Sequence, residues 1–177
     1  MQLKNHVCLM AEYNLSMNQK LYAVAEKLSP AQLYENSGAF FGSVFCTMNH
    51  IAVGDTIWLK RFSPVLHSHT ALTPVRELPS PESLDSILCE SLYELKVRRC
   101  LLDNAFSNLA KSISEEELAT SVSYKNMKGD VFSKNLFSLL MHVFNHQTHH
   151  RGQVTTLLSQ FGLDYGVTDL VVLIPNK

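Results

Sequence analysis

The chain has 177 residues, which fits one domain over residues 1–177 whose core needs no disulfide bonds. Its formal net charge is −1, which argues against a dedicated nucleic-acid-binding protein because such proteins rely on many phosphate contacts. The amino-terminal segment is too polar for a signal peptide, and no apolar run is long enough to cross a bilayer, so we expect a cytoplasmic protein.

Apolar residues spaced three and four apart predict a first helix from about Leu3 to Leu28, with Asn14 as a polar interruption of its stripe. Ser29-Pro30 then ends this helix and can cap a short turn. A second helix is predicted from about Ser43 to Arg61, with the carboxylate of Asp55 in its apolar stripe. Four prolines between residues 62 and 81 indicate a loop.

Ser80-Pro81-Glu82 has the cap and first-position proline of a helix start, so a third helix is predicted from there to about Ile113. An alternating segment over residues 121–134 predicts a hairpin or an extended lead-in. The fourth helix is predicted from about Ser133 to Phe161, and the LVVLI tail packs back on the helices or forms a short strand. These elements predict an all-α protein built as a four-helix bundle.

The fourth helix carries a histidine cluster, HVFNHQTHHRGQ. His146 and His150 are four residues apart, so both imidazoles can converge on one ion, as in the HExxH zinc helix. Gln147 stands where that motif has its catalytic glutamate, which excludes a metalloprotease signature. A helical wheel places this pair at the rim of the core stripe and places His142 and His149 further outward.

Two histidines do not complete a metal site, because zinc-like ions take four ligands. His50 on the second helix lies away from the apolar stripe, which fits either a ligand or a solvent-facing side chain. A lone histidine is more often hydrogen-bonded than a ligand. Cys46 lies one turn before His50, but we favour free thiols for it and for the other three cysteines, Cys8, Cys89 and Cys100.

Other polar residues near the cluster have simple structural interpretations. Asp55 is more often a satisfied buried group than a catalytic base. Arg151, Gly152 and Gln153 are interpreted as packing residues. In that interpretation Gly152 lets a neighbouring helix approach closely, and Arg151 pairs with a carboxylate such as Asp55.

The segments NHIAVGDTIWLKRF (49–62) and HVFNHQTHHRGQV (142–154), with YGVTDL in the tail, resemble the DinB family of small bacterial metal-binding bundles. The resemblance covers nearly the whole chain. It implies an up-down-down-up four-helix bundle, often a homodimer. It also implies a divalent metal held by His50, His146 and His150, and so gives His50 a role that the wheel leaves open.

Three functions are compatible with such a site. The first is a metal-dependent enzyme, a thiol S-transferase or hydrolase-like protein, with a small-molecule or thiol substrate and with Asp55 or His149 as a candidate for the base. The second is a non-catalytic metal-binding stress-response protein. The third is adventitious binding by exposed histidines. Zinc, nickel and iron all suit histidine ligands, so the sequence does not choose the ion.

Overall fold

The computed structural model describes residues 2–176. Over these residues the protein is mostly helical and contains one antiparallel hairpin. The long helices are α1 (Leu3–Ala25), α3 (Val44–Phe62), α5 (Leu92–Ser112) and α7 (Leu136–Gln160). The short helices are α2 (Pro30–Tyr34), α4 (Thr73–Arg76) and α6 (Glu115–Leu118), and 3-10 turns cover Thr70–Leu72 and Leu170–Leu173. The hairpin joins β1 (Ser121–Lys125) to β2 (Val131–Asn135).

Side-chain caps fix where the helices begin. Ser43 accepts a hydrogen bond from the Cys46 backbone amide at the start of α3, in agreement with the predicted second helix. Asn135 caps α7 in the same way. Gly162 follows α7 with a φ of 74°, a left-handed conformation that ends the helix close to the predicted Phe161.

The predicted start of the third helix is wrong, because α5 begins at Leu92 and not near Ser80. Ser91 and Glu94 form a capping box there. The preceding segment is held out of a helix by α3, since Asn49 donates to the Ser86 carbonyl at 2.7 Å and accepts from the Leu88 amide at 2.9 Å. The Asn49 side chain therefore forms hydrogen bonds with a backbone carbonyl and a backbone amide that would otherwise be paired within a helix.

The tail packs on α1, as predicted, but its LVVLI run is not a strand. Leu170–Leu173 forms a 3-10 turn. The hydroxyl of Tyr13 donates to the Thr168 carbonyl at 2.7 Å, and the Lys20 ammonium donates to the Val167 carbonyl at 2.9 Å. The predicted hairpin is confirmed as β1–β2, and it takes residues 133–135 that were expected to begin the last helix.

The four long helices surround one connected cluster of buried apolar side chains. Helix α1 packs against α5 and α7, and α3 packs against the same two helices. None of the helices in residues 2–176 is both long enough and apolar enough to cross a membrane.

A layer of buried polar side chains interrupts this core and links all four long helices. Its members are Asn14, Asn18, Asp55, Arg99, Asp103, Gln147 and Arg151. Asp55 pairs with Arg99 and accepts from the Gln147 amide at 2.9 Å. Arg151 donates to the Asn18 side-chain carbonyl at 3.2 Å and not to Asp55, so the predicted partner of Arg151 was wrong.

Candidate metal centre

Three imidazoles meet where α3 packs against α7. One nitrogen from each of His50, His146 and His150 lies within 4.8 Å of the other two. The Nε2 atoms of His50 and His146 are 3.1 Å apart. The ring centroids of His146 and His150 are 4.4 Å apart, as expected for residues one turn apart on a helix. The structure therefore brings together the three residues that the resemblance selected.

Neighbouring carbonyl oxygens orient two of the rings. The Nδ1 atom of His50 lies 2.8 Å from the Leu84 carbonyl, and Nδ1 of His150 lies 2.8 Å from Oε1 of Gln153. Because a carbonyl oxygen only accepts, each Nδ1 carries the proton and each Nε2 has its lone pair free. Such outer partners are typical of metal-ligating histidines. Gln153 was interpreted as a packing residue, so its contact with His150 is a correction.

A glycine on α3 makes room for the third ring. A Cβ atom added at Gly54 would lie 2.9 Å from Cε1 of His146, closer than such atoms approach in proteins. The glycine of α7 has no such role, since a Cβ at the exposed Gly152 would meet nothing within 4 Å. The prediction that Gly152 permits close helix packing is therefore wrong, and the close approach belongs to Gly54.

The surroundings keep the cluster uncharged. Burial, followed by the neighbouring His150 and His50, lowers the pKa of His146 to about 3. Burial also lowers the pKa of His50, although its bond to the Leu84 carbonyl acts in the opposite direction. The pKa of His150 is lowered for the same reason, against the opposing effect of Gln153. All three imidazoles are consequently neutral near pH 7, the state in which histidine binds metal.

The donor set fits a divalent ion. With its proton on Nδ1, His50 presents a bare Nε2 to Nε2 of His146 at 3.1 Å, so a proton or a cation must lie between them. Nitrogens bound tetrahedrally to zinc at ~2.0–2.1 Å are separated by roughly 3.3 Å. The histidine cluster can therefore hold a metal ion, and three ligands leave a coordination position open.

The cluster opens into a cavity of about 650 Å³ between α3, α7 and the hairpin. Phe41 stacks on the His50 ring with 3.8 Å between centroids, and Trp58 meets the His142 ring edge-to-face at 5.2 Å. No aspartate or glutamate is among the described residues that line the cavity. The site is therefore an open aromatic pocket beside three clustered imidazoles.

The two candidates for a base, Asp55 and His149, have different positions. Asp55 is fully buried, pairs with Arg99 and does not line the cavity, so it is a satisfied structural group, as the simpler interpretation held. His149 is exposed and lines the cavity, together with His142, so the outward positions predicted for these two histidines are confirmed. All four cysteines are free thiols, and Cys46 is not part of the histidine cluster.

Comparison with known proteins identifies the family of this chain. The model of the DinB family matches residues 1–175. Protein DinB of Bacillus subtilis (strain 168) is 26% identical over 158 residues, which cover 89% of this chain and 87% of that protein. No solved structure is significantly similar to the chain. Because the family match extends over almost every residue, including all three clustered histidines, this chain belongs to the DinB family.

Proposed function

We propose that this protein is a divalent-metal-dependent enzyme that transfers a small-molecule thiol to an electrophile. The observation that carries the proposal is the opening of the His50, His146 and His150 cluster into a cavity of about 650 Å³. That volume lies in the range of sites that bind small organic molecules. A structural metal site, in contrast, has all its ligand positions filled by protein.

A divalent ion at an open histidine site lowers the pKa of a thiol or water that it binds, and so supplies a nucleophile at neutral pH. In thiol transfer, the thiolate sulfur forms a bond to an electrophilic carbon and the leaving group departs with its electron pair. The thiol proton passes to a base or to solvent. His149, exposed at the cavity wall, is the side chain that we propose as its acceptor.

The same site would also support a hydrolase-like reaction in which water takes the place of the thiol. A non-catalytic metal-binding stress-response protein is the second candidate. It is favoured by the absence of a carboxylate among the described residues of the cavity wall, since many metal enzymes use one as a base. In that case the metal contributes stability by binding only the folded chain.

The proposal extends to the architecture and assembly that the family implies. We propose an up-down-down-up four-helix bundle, which is supported by the packing of α1 and α3 against both α5 and α7. We also propose a cytoplasmic homodimer and a physiological zinc, nickel or iron ion.

A thiol conjugation assay tests the proposed reaction. Zinc-loaded protein is mixed with a small thiol and chlorodinitrobenzene, and the coloured thioether is followed by absorbance. We expect faster conjugation with the wild type than without protein, and none of this increase with His146→Ala. His67→Ala, an exposed histidine outside the cluster, serves as the control with full activity. Metal-loaded wild type that conjugates none of a panel of thiols would favour the non-catalytic function.

A further inference from the structure

The charged side chains of the cavity all have one sign. Arg61 of α3 and Lys128 of the hairpin turn line it, and no carboxylate does so among the described residues. A divalent ion held by the three clustered histidines would add further positive charge. A pocket with cations and without acids favours a negatively charged ligand.

Two aromatic rings and one backbone carbonyl hold the Arg61 side chain in place. Its guanidinium carbon lies 4.7 Å from the ring centroids of both Trp58 and Tyr124. Its Nη2 atom donates to the Lys125 carbonyl at 2.8 Å, and this is the only hydrogen bond that its side chain makes within residues 2–176. Because a guanidinium has five N–H donors, donors remain for a ligand. The two aromatic rings fix the plane of the group and reduce the entropy lost on binding.

The same contacts place the hairpin turn over the cavity. The bond from Arg61 to the Lys125 carbonyl ties β1 to α3, and the residues that follow, Asn126, Met127 and Lys128, line the cavity. Lys128 is exposed on this turn, so its ammonium group adds to the positive charge without being buried.

The spacing along α3 gives an approximate length scale for the ligand. His146 lies against Gly54, and Arg61 follows seven residues later on the same helix. At ~1.5 Å per residue, this separation is roughly 10 Å along the helix axis. Ile57, Trp58 and Met127 line the cavity along with these groups, so the ligand would contact apolar surface.

From this arrangement we infer that the cavity selects an elongated organic acid. Its carboxylate is bound by Arg61 and Lys128, its middle contacts apolar side chains, and its other end extends to the three histidines. Arginine suits this role because it can bind a carboxylate through two parallel hydrogen bonds. The inference rests on the proposed function and specifies the substrate class of that site.

Matched thiol probes test the inference by binding, without an enzymatic reaction. Cobalt-loaded protein is titrated with mercaptopropanoic, mercaptohexanoic and mercaptoundecanoic acids and with the corresponding mercaptoalcohols, and the visible cobalt spectrum is recorded. We expect a long acid to bind about tenfold more tightly than its alcohol, because its carboxylate makes charge-assisted hydrogen bonds. The shortest acid should show no such preference.

Single variants show which cationic side chains cause the preference for the acid over the alcohol. Lys128→Gln is on an exposed turn, so the fold should persist while the preference for the acid decreases. Lys125→Gln is the matched control on the same hairpin, because this exposed side chain does not line the cavity. Arg61→Gln should abolish the preference, and circular dichroism shows whether the helices remain.

Two results of the cobalt titration would count against the inference, and they differ in what they imply for the proposed function. Equal affinities of acid and alcohol at every length, with the cobalt spectrum still responding to both, would overturn the inference and leave the proposed function intact. A bound cobalt ion whose spectrum responds to none of the thiols would contradict the proposed function, and the inference with it.

Discussion

The imidazole of His146 has space because the facing residue of α3 has no side chain. A Cβ at position 54 would lie 2.9 Å from Cε1 and 3.3 Å from Nδ1 of that ring. The Nδ1 atom is buried and has no hydrogen-bond partner among the described residues. The position of this ring therefore depends on packing against Gly54, in contrast to His50 and His150, which carbonyl oxygens orient.

We predict that Gly54→Ala weakens metal binding while the protein stays folded. The new methyl group pushes the ring away, and a histidine side chain can rotate more easily than two helices can separate. We expect the affinity to fall on the order of tenfold or more, as when the support of a ligand is removed. Competition with a chromogenic chelator measures it.

Gly152→Ala is the matched control, because nothing lies within 4 Å of its added Cβ. It should keep the metal affinity and raise the stability by about 1 kcal/mol, the usual gain for alanine over glycine within a helix. Equal metal affinity in Gly54→Ala and the wild type would show that the close contact does not position His146.

The three clustered histidines and their neighbours differ in how well the sequence could predict their positions. The spacing of His146 and His150 identifies the pair within one helix, whereas His50 needed the family resemblance. Gly54 was missed because its contact depends on how α3 and α7 are rotated against each other, which a helical wheel does not give. Gln153 had a detectable signal, since it lies three residues after His150, a spacing that lets two helical side chains meet.

At the level of helices, the buried polar layer specifies which faces meet. Arg99 of α5 pairs with Asp55 of α3 and, at 3.0 Å, with Asp103 of its own helix. Asn18 of α1 donates to Asp103 at 2.8 Å and to Gln147 of α7 at 3.2 Å. A rotated or shifted helix would leave some of these buried groups unpaired, at a substantial cost in free energy.

We predict that Arg99→Met strongly destabilises the protein. The change leaves the carboxylates of Asp55 and Asp103 buried without their cation, and removing one partner of a buried pair typically costs about 3–5 kcal/mol. Urea denaturation measures the free energy of unfolding. The exposed pair of Glu26 and Lys96, which are 2.6 Å apart, provides the control, because Glu26→Gln should cost less than about 1 kcal/mol. Similar losses of unfolding free energy in the two variants would show that burial does not make the Arg99 pair more important than an exposed pair.

The start of α5 shows where local sequence signals conflict. Ser80-Pro81-Glu82 and the Ser91–Glu94 capping box both have the chemistry of a helix start. Asn49 decides between them, since its side chain bonds the backbone at Ser86 and Leu88. This contact matters for the histidine cluster, because the non-helical segment supplies the Leu84 carbonyl that orients His50.

For the whole molecule, apolar residues at helical spacing predicted four long helices, and an alternating segment predicted a hairpin or an extended lead-in before the last one. Both patterns arise because the burial of one face requires a repeat that the sequence displays. The cavity could not be predicted in this way. It is formed by α3, α7 and the β1–β2 turn together, and the bond from Arg61 to the Lys125 carbonyl links residues that are 64 apart in sequence. Such a contact leaves no periodic signal in either segment.

Elemental analysis of untagged protein purified without added metal tests most directly whether the three histidines bind one divalent ion. We predict about one ion per chain in the wild type and none in His146→Ala/His150→Ala. His142→Ala/His149→Ala changes two exposed histidines of the same helix and should keep the ion. Wild-type protein without metal, even after addition of zinc, nickel or manganese, would contradict a metal site at the three histidines, as would equal metal loss in both double variants.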